Sequence, residues 1–223
     1  MYSDDEIYTI QEFGLDIHAR EIWLTPSDHY SLGVEEPLYS APGVEYTMAS
    51  QFLKNLKTLE KCGDEPILIH LKTNGGEWHE GMAIYDAIKF SPCLITILNY
   101  TEARSMSSLI FSAGDKRVMM PHSSFMFHDG TMGMEGTVKQ FLNEANQLKK
   151  TGQQMMDIYT GVMRFSSMWA DKSEKDLEEW LRGHMDKKEE VYLSAKEAVK
   201  YGFADEVFSG CWDDLLDHYP REG

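Results

Sequence analysis

The sequence predicts an α/β fold in which helices cover a mainly parallel sheet. Between residues 66 and 128, apolar runs rich in β-branched residues alternate with segments whose apolar residues recur at helical spacing. Strand, helix, strand and helix in succession imply right-handed crossover units, which build parallel sheets. A long helix follows this region, and a segment without a clear pattern precedes it, so we expect a peripheral N-terminal segment.

The N-terminal part contains one strand and one helix by these criteria. Residues 1–20 are expected to be loosely structured. Residues 21–25 (EIWLT) predict a short strand, and residues 26–45 predict a long loop because prolines and glycines recur there. Apolar residues at helical spacing predict a helix over residues 47–61.

The alternation of strands and helices occupies the centre of the chain. Residues 66–73 (PILIHLKT) form a nearly continuous apolar run, which is typical of a strand covered on both faces. The turn NGG at residues 74–76 separates this strand from the next helix. The same pattern predicts helices over residues 77–90 and 104–113 and strands over residues 93–99, 117–120 and 124–128.

The C-terminal part is predicted to be largely helical. A glycine-rich stretch at residues 129–136 precedes a long helix over residues 137–164. Capping boxes, in which Ser173 precedes Asp176 and Ser194 precedes Glu197, open two further helices. These helices are expected over residues 173–185 and 194–202, and a last strand over residues 204–208. With 223 residues, of which 42% are hydrophobic, we expect a single domain over residues 1–223.

Charge and composition exclude several classes of partner. The formal net charge of −16 is repelled by phosphate backbones and anionic lipids, so we expect neither nucleic acid nor membrane as a partner. The longest apolar runs are far shorter than the roughly 20 residues that span a bilayer. Three widely separated cysteines and an acidic N-terminus favour a cytoplasmic protein without a disulfide framework or structural zinc site.

Ser105 is the candidate nucleophile, because it lies where a predicted strand gives way to a helix at the carboxyl edge of the sheet. His128 ends a later strand at the same edge and is the candidate base. The N–H of Met106, with that of Gly75 or Gly76, would form an oxyanion hole. Candidates for the acid that orients the base are Asp186, Glu189 and Glu190. Three of these signals also have a structural interpretation, as an N-cap for Ser105, a turn for the glycines and a solvated helix end for the acidic cluster, and His128 is one of eight histidines.

Four ordered segments together resemble the proteolytic subunit of the Clp protease: NGGEWHEGMAIYD (74–86), ARSMSSLIFSAG (103–114), RVMMPHSSFMFHDG (117–130) and YLSAKEAVKYGFADEV (192–207). The resemblance extends over residues 66–208. It implies a ClpP/crotonase-like layered fold and serine endopeptidase activity. It also implies that residues 130–165 form the family's handle region.

The resemblance assigns roles to individual residues. Ser105 matches the nucleophile, His128 the general base, and Gly75 and Met106 the two amides of the oxyanion hole. The family's acid lies two residues before the aromatic residue of the Leu-Ser-Ala segment, which places it at Glu190, a glutamate where aspartate is usual. The resemblance implies no cofactor and no metal.

Three positions near the site depart from the family pattern. Arg104 stands where alanine usually precedes the serine, Ser107 replaces a glycine, and Asp129-Gly130 replaces Gln-Pro after the histidine. Together with the long loop over residues 26–45, these departures indicate a divergent, phage-type branch. They leave ring size and specificity open.

The resemblance also implies an assembly. The family forms homo-oligomers of stacked, heptameric rings that receive unfolded polypeptide from an AAA+ unfoldase such as a Clp ATPase. We expect substrate strands to pair with the glycine-rich segments 75–76 and 129–136 through main-chain hydrogen bonds.

Three alternatives remain open from the sequence. A phage prohead protease would use the same chemistry to mature a capsid. A non-catalytic ring subunit would account for Arg104 and for the missing aspartate. A crotonase-like acyl-CoA enzyme would share the fold and the glycine turn but would not require the Ser–His pair.

Overall fold

The structure, a computed structural model, describes residues 2–26, 43–130, 133 and 135–216. Most of the loop predicted over residues 26–45 therefore lies outside the described residues. Within the described part, Val44 forms an isolated parallel bridge to Gly76, and the next helix begins at Tyr46.

Helices and strands alternate through most of the chain. The helices are α1 (Asp4–Phe13), α2 (Tyr46–Cys62), α3 (Trp78–Lys89), α4 (Met106–Ser112), α5 (Val138–Met163), α6 (Glu174–Lys188) and α7 (Ala195–Tyr201), with short 3₁₀ turns at Ser167–Trp169 and Asp213–Leu215. The strands are β1 (Leu15–Asp16), β2 (Glu21–Leu24), β3 (Ile67–Thr73), β4 (Ile95–Arg104), β5 (Lys116–Met119), β6 (Ser124–Phe127), β7 (Val191–Ser194) and β8 (Glu206–Val207).

The strands form one mainly parallel sheet, which confirms the predicted α/β class. Its order is β1-β2-β3-β4-β5-β8, and β6 pairs with β4 on one side and β7 on the other. The antiparallel pairs are β1 with β2 and β6 with β7. Strand β3 and the first half of β4, residues 95–99, are almost wholly buried, as expected from their continuous apolar sequences.

Packing on the two faces of the sheet differs in extent. The large core cluster joins one face to the helices, and Phe203 is stacked on Phe125 with ring centroids 4.5 Å apart. A smaller cluster on Leu68 and Leu98 is completed by Leu215 of the C-terminal 3₁₀ turn. The large cluster therefore anchors α4, the helix that begins beside Ser105.

Two expectations from the sequence are wrong. Residues 1–20 are not loosely structured, because a capping box at Ser3 opens α1 and Gly14 closes it in a left-handed conformation. Strand β4 also does not end near residue 99. It leaves β5 and continues along β6 to Arg104, because β6 supplies a second parallel partner for its last residues.

Candidate active site

Ser105 forms the whole junction between a strand and a helix. Strand β4 ends at Arg104 and α4 begins at Met106, so no turn separates them. The backbone of Ser105 has φ 53° and ψ −127°, a strained conformation for a residue with a side chain. Its side chain makes no capping hydrogen bond to α4. The interpretation of Ser105 as a simple helix N-cap is therefore wrong.

Neighbouring elements hold this strained backbone in place. The Ser105 N–H donates to the carbonyl of Met126 over 3.1 Å, which ties the residue to β6. Its own carbonyl accepts from the N–H of Ser108 over 2.9 Å and from the Ser108 hydroxyl over 2.6 Å. The hydroxyl of Tyr159 on α5 lies 2.6 Å from Ser108 Oγ. Since the single Ser108 proton goes to Ser105, Tyr159 is the donor in that contact.

His128 lies directly beside the serine hydroxyl. It follows the last residue of β6, and its Nε2 is 2.8 Å from Ser105 Oγ. The parallel register of β4 and β6, in which Arg104 lies opposite Met126, brings the two residues to the same edge. The structure thus brings into contact the two side chains, Ser105 and His128, that the sequence analysis identified as candidate nucleophile and candidate base.

Burial lowers the pKa of His128 and favours the neutral imidazole that a general base requires. The negative charge of Glu190 acts in the opposite direction, the positive charge of Arg104 lowers the pKa further, and Asp129 raises it. The imidazole therefore lies among two carboxylates and one guanidinium, in addition to the serine.

Gly75 lies against Ser105 and Met106. Its φ is +96°, and a Cβ built on it would lie 2.8 Å from Ser105 Cβ and 3.0 Å from Met106 N. Only glycine therefore fits at this position. Met106 is the first residue of α4, so its N–H has no acceptor within that helix. The two amides predicted to form an oxyanion hole are thus close neighbours of Ser105.

The glycine turn is already paired on one side. The Gly75 carbonyl accepts from the N–H of Val44 over 2.6 Å, and the N–H of Glu77 donates to the carbonyl of Val44 over 2.8 Å. On this side, the chain's own segment occupies the edge that we expected residues 75–76 to offer to substrate.

Glu190 lies near His128 but bonds to other groups. Its Oε1 accepts from Arg104 Nη2 over 3.2 Å, and its Oε2 accepts from the Tyr192 hydroxyl over 2.9 Å. Of the three carboxylates considered from the sequence, Glu190 is the one whose charge acts on the pKa of His128. Asp186 lies on the exposed surface of α6, and the exposed Glu189 ends that helix. The role of Glu190 as the orienting acid stays a prediction.

Sequence reasoning missed two partners of Glu190. The sequence leaves open whether Arg104 pairs with an acidic neighbour or with substrate, and Tyr192 serves there only to locate the acid. Their proximity follows from the pairing of β4, β6 and β7, which no local pattern encodes. Within the described part of the chain, no group of three or more His, Cys, Asp or Glu side chains is arranged to hold a metal ion. No helix in that part is long and apolar enough to cross a membrane.

The fold and the site together define a class of protein. Ser105 has a strained backbone, is hydrogen-bonded to a histidine and lies beside a glycine amide at the carboxyl edge of a mainly parallel sheet. This is the arrangement of an α/β serine hydrolase. The family model described as Clp protease matches residues 31–210. The chain belongs to the Clp protease family.

Individual relatives agree with this assignment. An ATP-dependent Clp protease proteolytic subunit from Deinococcus radiodurans is 29% identical over 167 residues, which are 74% of this chain and 76% of the relative. A protein of the same name from Chlorella vulgaris is 30% identical over 143 residues, which are 63% of this chain and 65% of the relative. These relatives identify the chain as a ClpP-like serine-type peptidase.

A solved structure shows the same fold. A mutant of ClpP1 from Listeria monocytogenes superposes with a TM-score of 0.67 at 19% identity, covering 90% of this chain and 96% of that one. The predicted ClpP-like layered fold is therefore confirmed. The family assignment favours a peptidase over a crotonase-like acyl-CoA enzyme.

Proposed function

We propose that Ser105 and His128 are the nucleophile and general base of this ClpP-like endopeptidase. The observation that carries the proposal is the 2.8 Å contact between Ser105 Oγ and His128 Nε2. A hydroxyl is a weak nucleophile until a neighbouring base takes its proton, and this contact provides the base. The strained φ of 53° at Ser105 supports the same conclusion, because such strain concentrates at functional sites.

Hydrolysis proceeds in two stages. As Ser105 Oγ attacks the substrate carbonyl carbon, His128 Nε2 accepts the hydroxyl proton, and the N–H groups of Gly75 and Met106 stabilise the oxyanion. The protonated imidazole then donates its proton to the leaving amine, which leaves an acyl-enzyme. In the second stage His128 takes a proton from water, the resulting hydroxide attacks the ester carbonyl, and the imidazolium returns a proton to Ser105.

In this proposal, Glu190 is the third residue of the catalytic triad, with Ser105 and His128. A carboxylate near the imidazole stabilises the imidazolium that forms in the transition state. The charge of Glu190 already raises the pKa of His128, which is the same effect in the ground state. Glutamate therefore serves at a position where aspartate is usual in the family.

Assembly into a chamber is part of the same proposal. The exposed apolar side chains along α5 favour a protein partner, and Val138, Phe141, Leu142 and Leu148 remain 77%, 56%, 57% and 42% exposed. The relatives are named proteolytic subunits of an ATP-dependent protease. We place this chain in stacked heptameric rings in the cytoplasm, where an AAA+ unfoldase supplies unfolded polypeptide.

The experiment that tests this function combines two assays on the purified protein. A fluorogenic peptide measures hydrolysis, and a fluorophosphonate probe measures covalent labelling of the nucleophile. We expect Ser105→Ala to abolish both and His128→Ala to lower both at least about a thousandfold. Ser107→Ala and His122→Ala are matched controls: the Ser107 hydroxyl is buried without a hydrogen-bond partner among the described residues, and His122 is exposed.

Each alternative function predicts a different result. A wild-type protein that is neither labelled nor active would contradict the proposal and indicate a non-catalytic ring subunit. Binding of coenzyme A without labelling would indicate an acyl-CoA enzyme. Ser105-dependent cleavage of a capsid scaffold protein, without cleavage of casein, would indicate a prohead protease.

A further inference from the structure

A three-residue bridge lies beside His128, and the family pattern does not provide for it. The Arg104 guanidinium and the Tyr192 hydroxyl each donate to a different oxygen of the Glu190 carboxylate, over 3.2 Å and 2.9 Å. Accordingly, the bond to Glu190 is the main cause that raises the pKa of Tyr192. Both carboxylate oxygens are thus engaged by groups other than the imidazole.

Strand register places the two donors of this bridge. Arg104 of β4 lies opposite Met126 of β6, and Met126 lies opposite Tyr192 of β7. Directly opposed residues point to the same face, and neighbouring strands are about 4.8 Å apart, so the two donors start roughly 10 Å apart on one face. Glu190, two residues before Tyr192, reaches between them. The bridge is therefore built into the sheet.

The His128 ring makes no hydrogen bond to the Glu190 carboxylate, whose two oxygens accept from Arg104 and Tyr192. Among the described residues, the one hydrogen bond of the His128 ring joins Nε2 and Ser105 Oγ. Arg104 from β4, Glu190 from the segment before β7 and Asp129 from the end of β6 act on it by charge. Glu102 of β4 acts by charge on Tyr192. In a complete triad, a carboxylate also accepts a hydrogen bond from Nδ1–H.

We propose that Arg104 is a positioning residue that, with Tyr192, holds the Glu190 carboxylate in a resting position, and that Glu190 orients His128 only when this ion pair opens. The inference rests on the proposed function. It assigns a role to the arginine that stands where the family has alanine. It also explains why this site has the Ser105–His128 hydrogen bond of a triad but not the hydrogen bond between the acid and the histidine.

The pair is suited to reversible opening. The side chains of Arg104 and Glu190 are 35% and 42% exposed, so water competes for both groups. Ion pairs with this degree of exposure contribute little to stability, so opening this one costs little free energy.

The test compares Arg104→Ala with Arg104→Lys, each alone and in a Glu190→Gln background, with native mass measured for every variant. The readout is the pH profile of kcat/KM for a fluorogenic peptide, together with the rate of fluorophosphonate labelling. Arg104→Ala is expected to raise the pH-independent plateau by up to about fivefold, because the released carboxylate can orient His128. It also moves the acid limb to higher pH, since the guanidinium lowers the pKa of His128.

The remaining variants separate positioning from a general effect. Arg104→Lys keeps a cation for Glu190 and is expected to restore the wild-type plateau. In the Glu190→Gln background, Arg104→Ala is expected to leave the plateau unchanged, since no carboxylate remains to be released. Tyr192→Phe removes one of the two hydrogen bonds to Glu190, and we expect a smaller rise in the plateau of kcat/KM than for Arg104→Ala.

Two results would overturn the inference. One is a plateau that falls in Arg104→Ala, and the other is a rise of equal size in the Glu190→Gln background. Either result leaves the proposed function standing if hydrolysis still depends on Ser105. Absence of Ser105-dependent hydrolysis and labelling in every variant would instead overturn the proposed function, and this inference with it.

Discussion

Ser105 combines a strained backbone with the contacts that maintain it. A side chain at φ 53° costs on the order of 1–3 kcal/mol, which the surrounding structure must offset. The carbonyl of Met126 and the two donors of Ser108 do so from neighbouring elements. The result is a hydroxyl held 2.8 Å from a base rather than turned toward the end of its own helix.

The pH profile of hydrolysis reports the protonation of His128. Because the protonated imidazole cannot accept the Ser105 proton, kcat/KM falls as pH drops through the pKa of this residue in the folded protein. Burial lowers that pKa from its ordinary value of 6.5, so we expect the wild-type acid limb to lie below pH 6.5. Glu190→Gln removes a charge that raises the pKa, and the limb should move to still lower pH. A limb that moves upward would contradict this assignment.

Gly75 is predicted to tolerate no side chain. In Gly75→Ala, the new Cβ would lie 2.8 Å from both the Arg104 carbonyl oxygen and Ser105 Cβ, so the serine must shift. We expect kcat/KM to fall by about a hundredfold or more, as for loss of one oxyanion donor. Gly210→Ala is the matched control, since Gly210 also has a positive φ, +102°, but no atom of the described residues within 4 Å of the new Cβ. Equal losses in the two variants would mean that backbone strain alone is responsible.

At the scale of elements, α5 and α4 are coupled through one buried hydrogen bond. Tyr159 of α5 is 1% exposed, and its hydroxyl donates to Ser108 of α4, which in turn donates to the Ser105 carbonyl. Burial strongly raises the pKa of Tyr159, so its hydroxyl remains a donor at all ordinary pH values. The long helix thus contributes directly to the position of the nucleophile.

Tyr159→Phe is expected to lower both stability and activity. Losing this hydrogen bond should cost about 1 kcal/mol in the free energy of unfolding. It should also lower kcat/KM, because Ser108 is then held less firmly against Ser105. Tyr100→Phe is the control, because the Tyr100 hydroxyl lies 3.0 Å from Nδ1 of His70, which is not a residue of the candidate site. Thermal unfolding and peptide hydrolysis check both variants, and a loss of activity in Tyr100→Phe equal to that in Tyr159→Phe would contradict the coupling.

At the scale of the whole molecule, α5 exposes an apolar stripe over its first turns. Val138, Phe141, Leu142 and Leu148 recur at helical spacing and remain exposed, whereas Met155, Met156 and Tyr159 further along the helix are buried. The helix therefore packs into the core at its C-terminal end and leaves the apolar side chains of its N-terminal end exposed, as the proposed contact between rings requires.

Phe141→Asp is expected to reduce the native mass by half, because a charge in an apolar interface between rings would separate them. Asn143→Glu is the control: this exposed residue lies on the opposite side of the same helix and also adds a negative charge. Native mass spectrometry distinguishes the two variants. An unchanged mass in Phe141→Asp would place the interface elsewhere.

Elements with a strong local signal were predictable. The apolar runs of β3 and β4 and the capping boxes at Ser173 and Ser194 place strands and helix starts close to where the structure has them. The extension of β4 to Arg104 was not predictable, since it depends on pairing with β6, whose register is a long-range property. Helix α1 was missed, although Ser3, Glu6 and Gly14 mark its two ends, because its short apolar pattern buries none of its residues in the core.

For the site, residue type and chain order were enough to predict the candidates: a glycine after one strand, a serine at the end of the next and a histidine after a later strand. The strained backbone of Ser105, the contact of His128 with its hydroxyl and the hydrogen bonds of Glu190 to Arg104 and Tyr192 could be found only in the folded molecule. The reason is that these contacts depend on the relative register of β4, β6 and β7, which is set by packing among residues far apart in the chain.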